Sequence, residues 1–304
     1  MPLYLKPIPP YDLDLSAKIF AEGGDEHIRT FRDGTFWQVL KVDDQLVLAK
    51  ARSTGTVEQP QLCLDLESDG EVSEDLERKA RCLLSSILHL NLDLESFYKA
   101  VDGDRIMREL ARLLRGLKSP STPTVFEALV DSILEQQVSI KVAWVLENRL
   151  IKAFGDSLKV GGQTYYAFPE PAKLASLTVE DLKPLGLSAR KAEYILGSSK
   201  LASNGLDLEK FKNYTDPDKV IEELCRIRGI GVWTAELTMV RGMGMIDAIP
   251  ADDLGLKRCI SHYYCGDRKI AEAEARKIAE AWKGWRGLAS FYLIMAERLG
   301  IELI

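Results

Sequence analysis

The sequence is poor in the residues that hold metals, clusters and disulfide frameworks. Its five cysteines (Cys63, Cys82, Cys225, Cys259 and Cys265) are odd in number and widely spread. No C-x-x-C pair suggests zinc or redox chemistry, so they read as reduced thiols of an intracellular, cytoplasmic protein. The three histidines, His27, His89 and His262, share no ligand spacing, and no catalytic metal is expected. Long apolar runs are missing as well. No stretch approaches the roughly 18 to 20 residues of a membrane span, and the start M-P-L-Y-L-K-P-I-P-P lacks the apolar core and cleavage site of a leader. No membrane association is expected.

An excess of positive charge is also lacking, since the net charge is −6. Taken alone this argues against a nucleic-acid partner, which usually needs a basic surface. The average hides an asymmetry: residues 1–104 carry 11 basic against 20 acidic side chains, residues 105–304 carry 29 against 26. Any basic face belongs to the second segment.

The 304 residues, 46% of them hydrophobic, suffice for two or three cored domains. The first third alternates at period two, over Thr35 to Val42, a turn at Asp43-Asp44, Gln45 to Arg52, and Leu62, Leu64 and Leu66. After Ser73, a candidate N-cap, the spacing becomes helical, with Leu76, Ala80, Leu83, Leu84 and Ile87 as the buried stripe. A small antiparallel sheet covered by a helix is expected over 1–104. Beyond 104 only helix signals are evident. Thr122-Pro123 reads as a cap, Ser139 opens a helix that Gly155 closes, and Thr178, Ser188 and Asp216-Pro217 open others. Residues 105–304 therefore read as all-helical, with Gly161-Gly162-Gln163 as a loop between helices.

Gly229-Ile230-Gly231 lies between the pattern V-I-E-E-L-C and the helix W-T-A-E-L-T-M-V-R-G. Glycine permits positive φ and close backbone approach, and the N–H groups of Gly231, Val232 and Trp233, with Thr234 next in the first turn, open the second helix toward an anion such as a DNA phosphate. On the other side the carbonyls of Cys225, Ile227 and Ile230 could coordinate a monovalent cation bridging to that phosphate. A lone G-x-G also fits a tight turn between packed helices.

The hairpin is followed by I-P-A-D-D-L. The joined pattern resembles the helix-hairpin-helix (HhH-GPD) DNA glycosylases, and within them the AlkA-type 3-methyladenine DNA glycosylases II. The motifs run in order along nearly the whole chain: P-P-Y-D at Pro9 to Asp12, I-L-E-Q-Q-V-S at Ile133 to Ser139, G-I-G-V-W-T-A, P-A-D-D-L, and W-K-G-W-R-G at Trp282 to Gly287. The resemblance implies an α+β fold: a TBP-like sheet-and-helix N-terminal domain, then an all-helical region of two subdomains with the active-site cleft between them.

The same resemblance makes Asp253 the catalytic carboxylate, with Asp252 a helix cap or an orienting neighbour. It places Gln137, beside Gln136, where a side chain wedges into the gap left by a flipped base. Trp233 occupies the place where bifunctional relatives hold a Schiff-base lysine, which implies a monofunctional enzyme. Trp233, Leu237 and Leu254 would line the base pocket, and Trp233 would stack on an electron-poor base. Ile19, Leu237, Leu254 and Ile294 stand where aromatics are common in the family; Phe126, Phe291 and Tyr292 are either core residues or their substitutes. Trp282 and Trp285 would pack, and Arg286 could reach the cleft.

A single carboxylate suits a good leaving group. Glycoside hydrolysis ordinarily needs a second carboxyl group to protonate the leaving oxygen, whereas a purine alkylated at N3 or N7 already carries its charge. The expected function is hydrolytic excision of alkylated purines (3-methyladenine and 7-methylguanine, with hypoxanthine and 1-methyladenine as further candidates) from double-stranded DNA by a monomer. No cofactor is implied, and no iron–sulfur cluster, since no cysteine follows Cys265. Two alternatives stay open: a bifunctional glycosylase-lyase for oxidised bases, and a non-catalytic DNA-binding protein.

Overall fold

The computed structural model describes residues 3–303; Met1 and Pro2, within the start discussed above, and Ile304 lie outside them. The N-terminal part comprises β1 (Leu3–Leu5), α1 (Leu13–Phe20), β2 (Arg29–Arg32), β3 (Thr35–Val42), β4 (Gln45–Ser53), β5 (Leu62–Glu67) and α2 (Glu74–Ile87). Its five strands form one antiparallel sheet in the order β1-β5-β4-β3-β2. Alternation puts Phe36, Leu40, Val47, Ala49, Ala51, Leu62 and Leu64 in one core with Leu76, Ala80, Leu84 and Ile87 of α2. Ser73 caps α2 through the Leu76 N–H. Leu83, expected in the buried stripe, is only half-buried and packs at the margin of that core.

The helices that follow are α3 (Leu94–Val101), α4 (Arg105–Leu113), α5 (Val125–Glu135) and α6 (Ile140–Phe154). Next come β6 (Ser157–Val160), β7 (Gln163–Tyr166), α7 (Pro171–Ala175), α8 (Val179–Leu182) and α9 (Ala189–Ser203). Last are α10 (Pro217–Cys225), α11 (Val232–Gly242), α12 (Leu254–Cys265), α13 (Glu272–Ala279) and α14 (Arg286–Arg298). Two helical cores result. One joins α5, α6 and α7 through α11 around Leu129, Ile133, Leu150, Ile195, Leu224 and Met239. The other joins α3, α4 and α12 to α14 around Phe97, Leu110, Ile260, Trp282 and Tyr292. Leu94, Phe97 and Val101 belong to this second helical core, so the change of core falls between Leu90 and Leu94, ahead of the boundary expected at residue 104.

Two sequence expectations are corrected. The second segment is not all-helical, because residues 157–166 form a β-hairpin, not a loop between helices. Its turn is Gly161-Gly162, both at positive φ (57° and 78°), as a two-residue hairpin turn requires. The strands are short and gain support from elsewhere: Leu158 and Tyr165 bury themselves on Val39 and Leu48 of the N-terminal sheet. The cap of α5 is Thr124, which accepts from the Glu127 N–H, and not Thr122, whose hydroxyl donates to the Thr124 carbonyl. Ser139, Ser188 and Asp216 cap as expected. Among the described residues, no helix is long and apolar enough to cross a membrane.

Candidate active site and nucleic-acid interface

A cleft of about 1160 Å³ opens between the two helical subdomains. Trp233, Thr234 and Leu237 of α11, Lys191 and Tyr194 of α9 and the loop after α5 line one wall; Asp253, Leu254, Arg258 and Ile294 line the other.

Asp253 caps α12. Its Oδ1 accepts from the Leu256 N–H at 2.8 Å, and its Oδ2 accepts from the Trp233 indole N–H at 3.3 Å. A negative group at a helix N-terminus complements the helix dipole. Capping and facing the cleft are thus compatible, and both fall to Asp253. Asp252, expected as cap or orienting neighbour, is exposed and pairs instead with Lys257 at 2.7 Å.

The α10–α11 connection has the geometry expected for anion binding. Gly229 lies at φ 92°, and a Cβ there would stand 2.3 Å from the Tyr194 ring, so the backbone can pack on that ring only as glycine. Gly231 is the extended N-cap of α11, with φ −101°. The N–H groups of Gly231, Val232 and Trp233 find no acceptor among the described residues and open onto an exposed surface at Gly231 and Val232. Ile230 and Thr234 turn inward and are buried, Ile230 in the first helical core and Thr234 with its hydroxyl at the inner wall of the cleft. Arg190 and Arg228 flank Tyr194 and put positive charge beside the hairpin.

The two adjacent glutamines divide. The Gln136 side-chain amide donates to the Gly229 carbonyl (3.0 Å) and to the Thr234 hydroxyl (3.1 Å), tying the α5–α6 loop to the hairpin. It therefore acts as a strut and is not free to be a wedge. Gln137 stands at the tip with φ 56°, exposed into the cleft. This tie was missed in the sequence, and so was the α9 face with Arg190, Lys191 and Tyr194, although their spacing of one and four on a helix was visible. Burial lowers the pKa of the Lys191 amine, which is committed to the Leu134 carbonyl at 2.7 Å and so finishes α5.

Of the expected pocket residues, Leu237 is buried at the cleft wall, while Leu254 is 80% exposed and stands at the mouth. Ile294 lines the cleft; Ile19 packs on the second helical core instead. Phe126 and Tyr292 are core residues, the first against Phe168 and the second bonded to the Leu117 carbonyl. Phe291 packs at the margin of the second helical core. Trp282 is buried and donates to Asp104, and Trp285 packs at a tilt beside Phe97. Arg286 is held by Asp247 and Glu280, each at 2.7 Å, and does not reach the cleft.

The profile of the HhH-GPD superfamily of base excision DNA repair proteins matches residues 130–285. The chain is 36% identical over 207 residues to the DNA-3-methyladenine glycosylase of Bacillus subtilis (strain 168), covering 67% of each. It is 27% identical over 289 residues, 95% of each chain, to DNA-3-methyladenine glycosylase 2 of Escherichia coli (strain K12). The solved 3-methyladenine DNA-glycosylase from Archaeoglobus fulgidus superposes with a TM-score of 0.87 at 26% identity, covering 99% of this chain and 100% of that one. An 8-oxoguanine glycosylase/lyase of Clostridium acetobutylicum bound to double-stranded DNA shares the fold, with a TM-score of 0.77 at 20% identity over 99% of both chains. The profile match takes in the hairpin, Asp253 and all of the cleft lining except that from α14, and the similarity at sequence and fold level extends over both domains: the chain belongs to the HhH-GPD superfamily of base excision DNA repair proteins.

Proposed function

We propose that this chain is a monofunctional DNA glycosylase that hydrolyses the N-glycosidic bond of alkylated purines, of the 3-methyladenine and 7-methylguanine type, in double-stranded DNA. The observation that carries this reading is the pair Trp233–Asp253: a carboxylate at the cleft with a tryptophan, not a lysine, beside it.

In this reading the phosphate backbone rests on the N–H groups of Gly231, Val232 and Trp233. Gln137 fills the gap left by the flipped nucleotide. The base enters the cleft against Trp233 and Leu237, with Leu254 at the entrance. As the bond breaks, positive charge grows on the deoxyribose, and the Asp253 carboxylate stabilises it and directs water to the sugar. Its two anchoring bonds fix the carboxylate before the reaction, so little reorganisation is needed. A base already cationic leaves without a proton donor, and an indole stacks well on an electron-poor ring. Lys191 does not replace the missing lyase lysine, because its amine is engaged.

A monovalent cation would be held by carbonyls at the hairpin. The carbonyls of Cys225 and Ile230 accept no backbone hydrogen bond among the described residues, and that of Ile227 accepts one from Ile230, which leaves oxygens that fit such an ion. When bound it would add positive charge for the phosphate. We further infer a monomer working on DNA inside the cell, with no other cofactor.

Chromatography of bases released from randomly methylated DNA tests the proposal. Free methylated purines from strands that stay intact, and no covalent adduct on borohydride treatment, are the expected result. A trapped adduct would favour the glycosylase-lyase.

A further inference from the structure

Arg29 of β2 lies directly opposite Gln38 of β3, so the two side chains leave the sheet on the same face. Both border a cavity of about 620 Å³ where the N-terminal sheet meets α5, and Glu127 lies on its wall. The Arg29 guanidinium is 3.7 Å from Glu127 and 3.4 Å from Glu147. Asp131, four residues after Glu127 and on the same face of α5, completes the cluster. Glu127, Asp131 and Glu147 are all buried, and each offers an oxygen within 4.8 Å of the others.

One guanidinium faces three buried carboxylates. The nearby Arg241 is occupied by its own ion pair with Glu135. Fully ionised, the cluster carries two negative charges without a counterpart, and isolated buried charges are costly. Two acceptors are also without partners, Asp131 Oδ1 in a residue 6% exposed and Gln38 Oε1 in a residue 4% exposed on a different element, against one such donor, Arg29 Nε. These unpartnered acceptors outnumber the unpartnered donor, as a bound cation would explain.

We propose that Glu127, Asp131 and Glu147 form a binding site for a hard divalent cation of the Ca²⁺, Mg²⁺ or Mn²⁺ class, next to the cavity that Glu127 borders. Three oxygens no more than 4.8 Å apart leave a point within about 2.8 Å of each, close to the range of Ca–O bonds. The donors are all oxygen, without imidazole or thiolate, which selects hard ions over zinc or copper. A charge of two balances the cluster. The ion would join α5 to α6, the helices whose connecting loop carries Gln136 and Gln137, to the N-terminal sheet through Arg29. This site is separate from the cleft and does not depend on the proposed catalysis.

Full-length protein freed of metal by chelation is titrated with Ca²⁺, Mg²⁺ and Mn²⁺, following thermal unfolding and, for Mn²⁺, the electron paramagnetic resonance of the bound ion. At one hundred times Kd, Tm is expected to rise by roughly 5 °C. Asp131→Asn, nearly isosteric, removes one ligand charge; it is expected to melt no lower than the chelated wild type and to lose the response to the ions. Glu147→Gln serves as a second variant that loses the response. An unchanged wild-type Tm with all Mn²⁺ free overturns the site, leaving protons to balance the cluster. A response that survives in both variants overturns it too, since the ion then binds elsewhere.

Discussion

The indole N–H of Trp233 reaches Oδ2 of Asp253 across the subdomain boundary at 3.3 Å, while Oδ1 is held by the first turn of α12. A residue from each wall therefore defines one carboxylate. Replacing Trp233 with Phe retains an aromatic face and removes the donor. Single-turnover release of 7-methylguanine is expected to slow about tenfold, or ~1.4 kcal/mol of transition-state stabilisation, with unfolding unchanged. A rate equal to wild type would remove the hydrogen bond from the mechanism.

The hairpin glycines are expected to differ. Gly229→Ala meets both a positive φ and the Tyr194 ring, and should cost about 2 kcal/mol or more in denaturant unfolding. Gly231→Ala has φ −101° and no atom within 4 Å of the added carbon, so its cost should stay below ~1 kcal/mol. Equal losses at the two positions would contradict the geometry.

Gln136 and Gln137 separate by the property measured. Gln136→Ala leaves the Gly229 carbonyl and Thr234 hydroxyl without their donor and should lower stability by about 1 kcal/mol. Gln137→Ala should leave stability within about 0.5 kcal/mol and weaken capture of a flipped nucleotide, read with a fluorescent base analogue in the duplex. A Gln137 variant that destabilises the fold without changing flipping would reverse these roles.

His89 makes stability depend on acid. Burial lowers its imidazole from 6.5 to about 4, and its Nε2 lies 2.7 Å from the Ser121 hydroxyl. The folded value lies below the unfolded one, so above pH 6.5 both states are neutral and the group contributes nothing. As pH falls from 6.5 toward 4, only the unfolded chain takes up the proton, and stability falls by about 1.4 kcal/mol per pH unit. His89→Asn tolerates the positive φ of 48° and should flatten this slope in urea titrations between pH 4.5 and 7. Identical slopes in the two proteins would assign the acid loss to other groups.

These contrasts show how much the sequence carried. The hairpin was legible because Gly229 answers a local demand, and Asp253 because its motif follows in order. The β6–β7 hairpin was not, since strands of four residues depend on Val39 and Leu48, far away in the chain. Its Gly161-Gly162 turn was the signal to read. Nothing local distinguishes Gln136 from Gln137; the difference arises where the loop meets Gly229 and Thr234. The family resemblance makes Leu254 a pocket residue, yet its place just after the Asp253 cap leaves it at the mouth. The buried Glu127, Asp131 and Glu147 cluster combines an i, i+4 pair with a residue of the next helix, and resembles a solvated face until the helices are packed.

The most direct test is the rate of base release by Asp253→Asn. Asparagine keeps an acceptor for the Leu256 N–H and so preserves the cap, while the negative charge facing the sugar is lost. The variant should bind abasic duplex DNA as wild type does and release 7-methylguanine at least about 100-fold more slowly. Release at the wild-type rate, with binding intact, would contradict the assignment of Asp253 as the catalytic carboxylate.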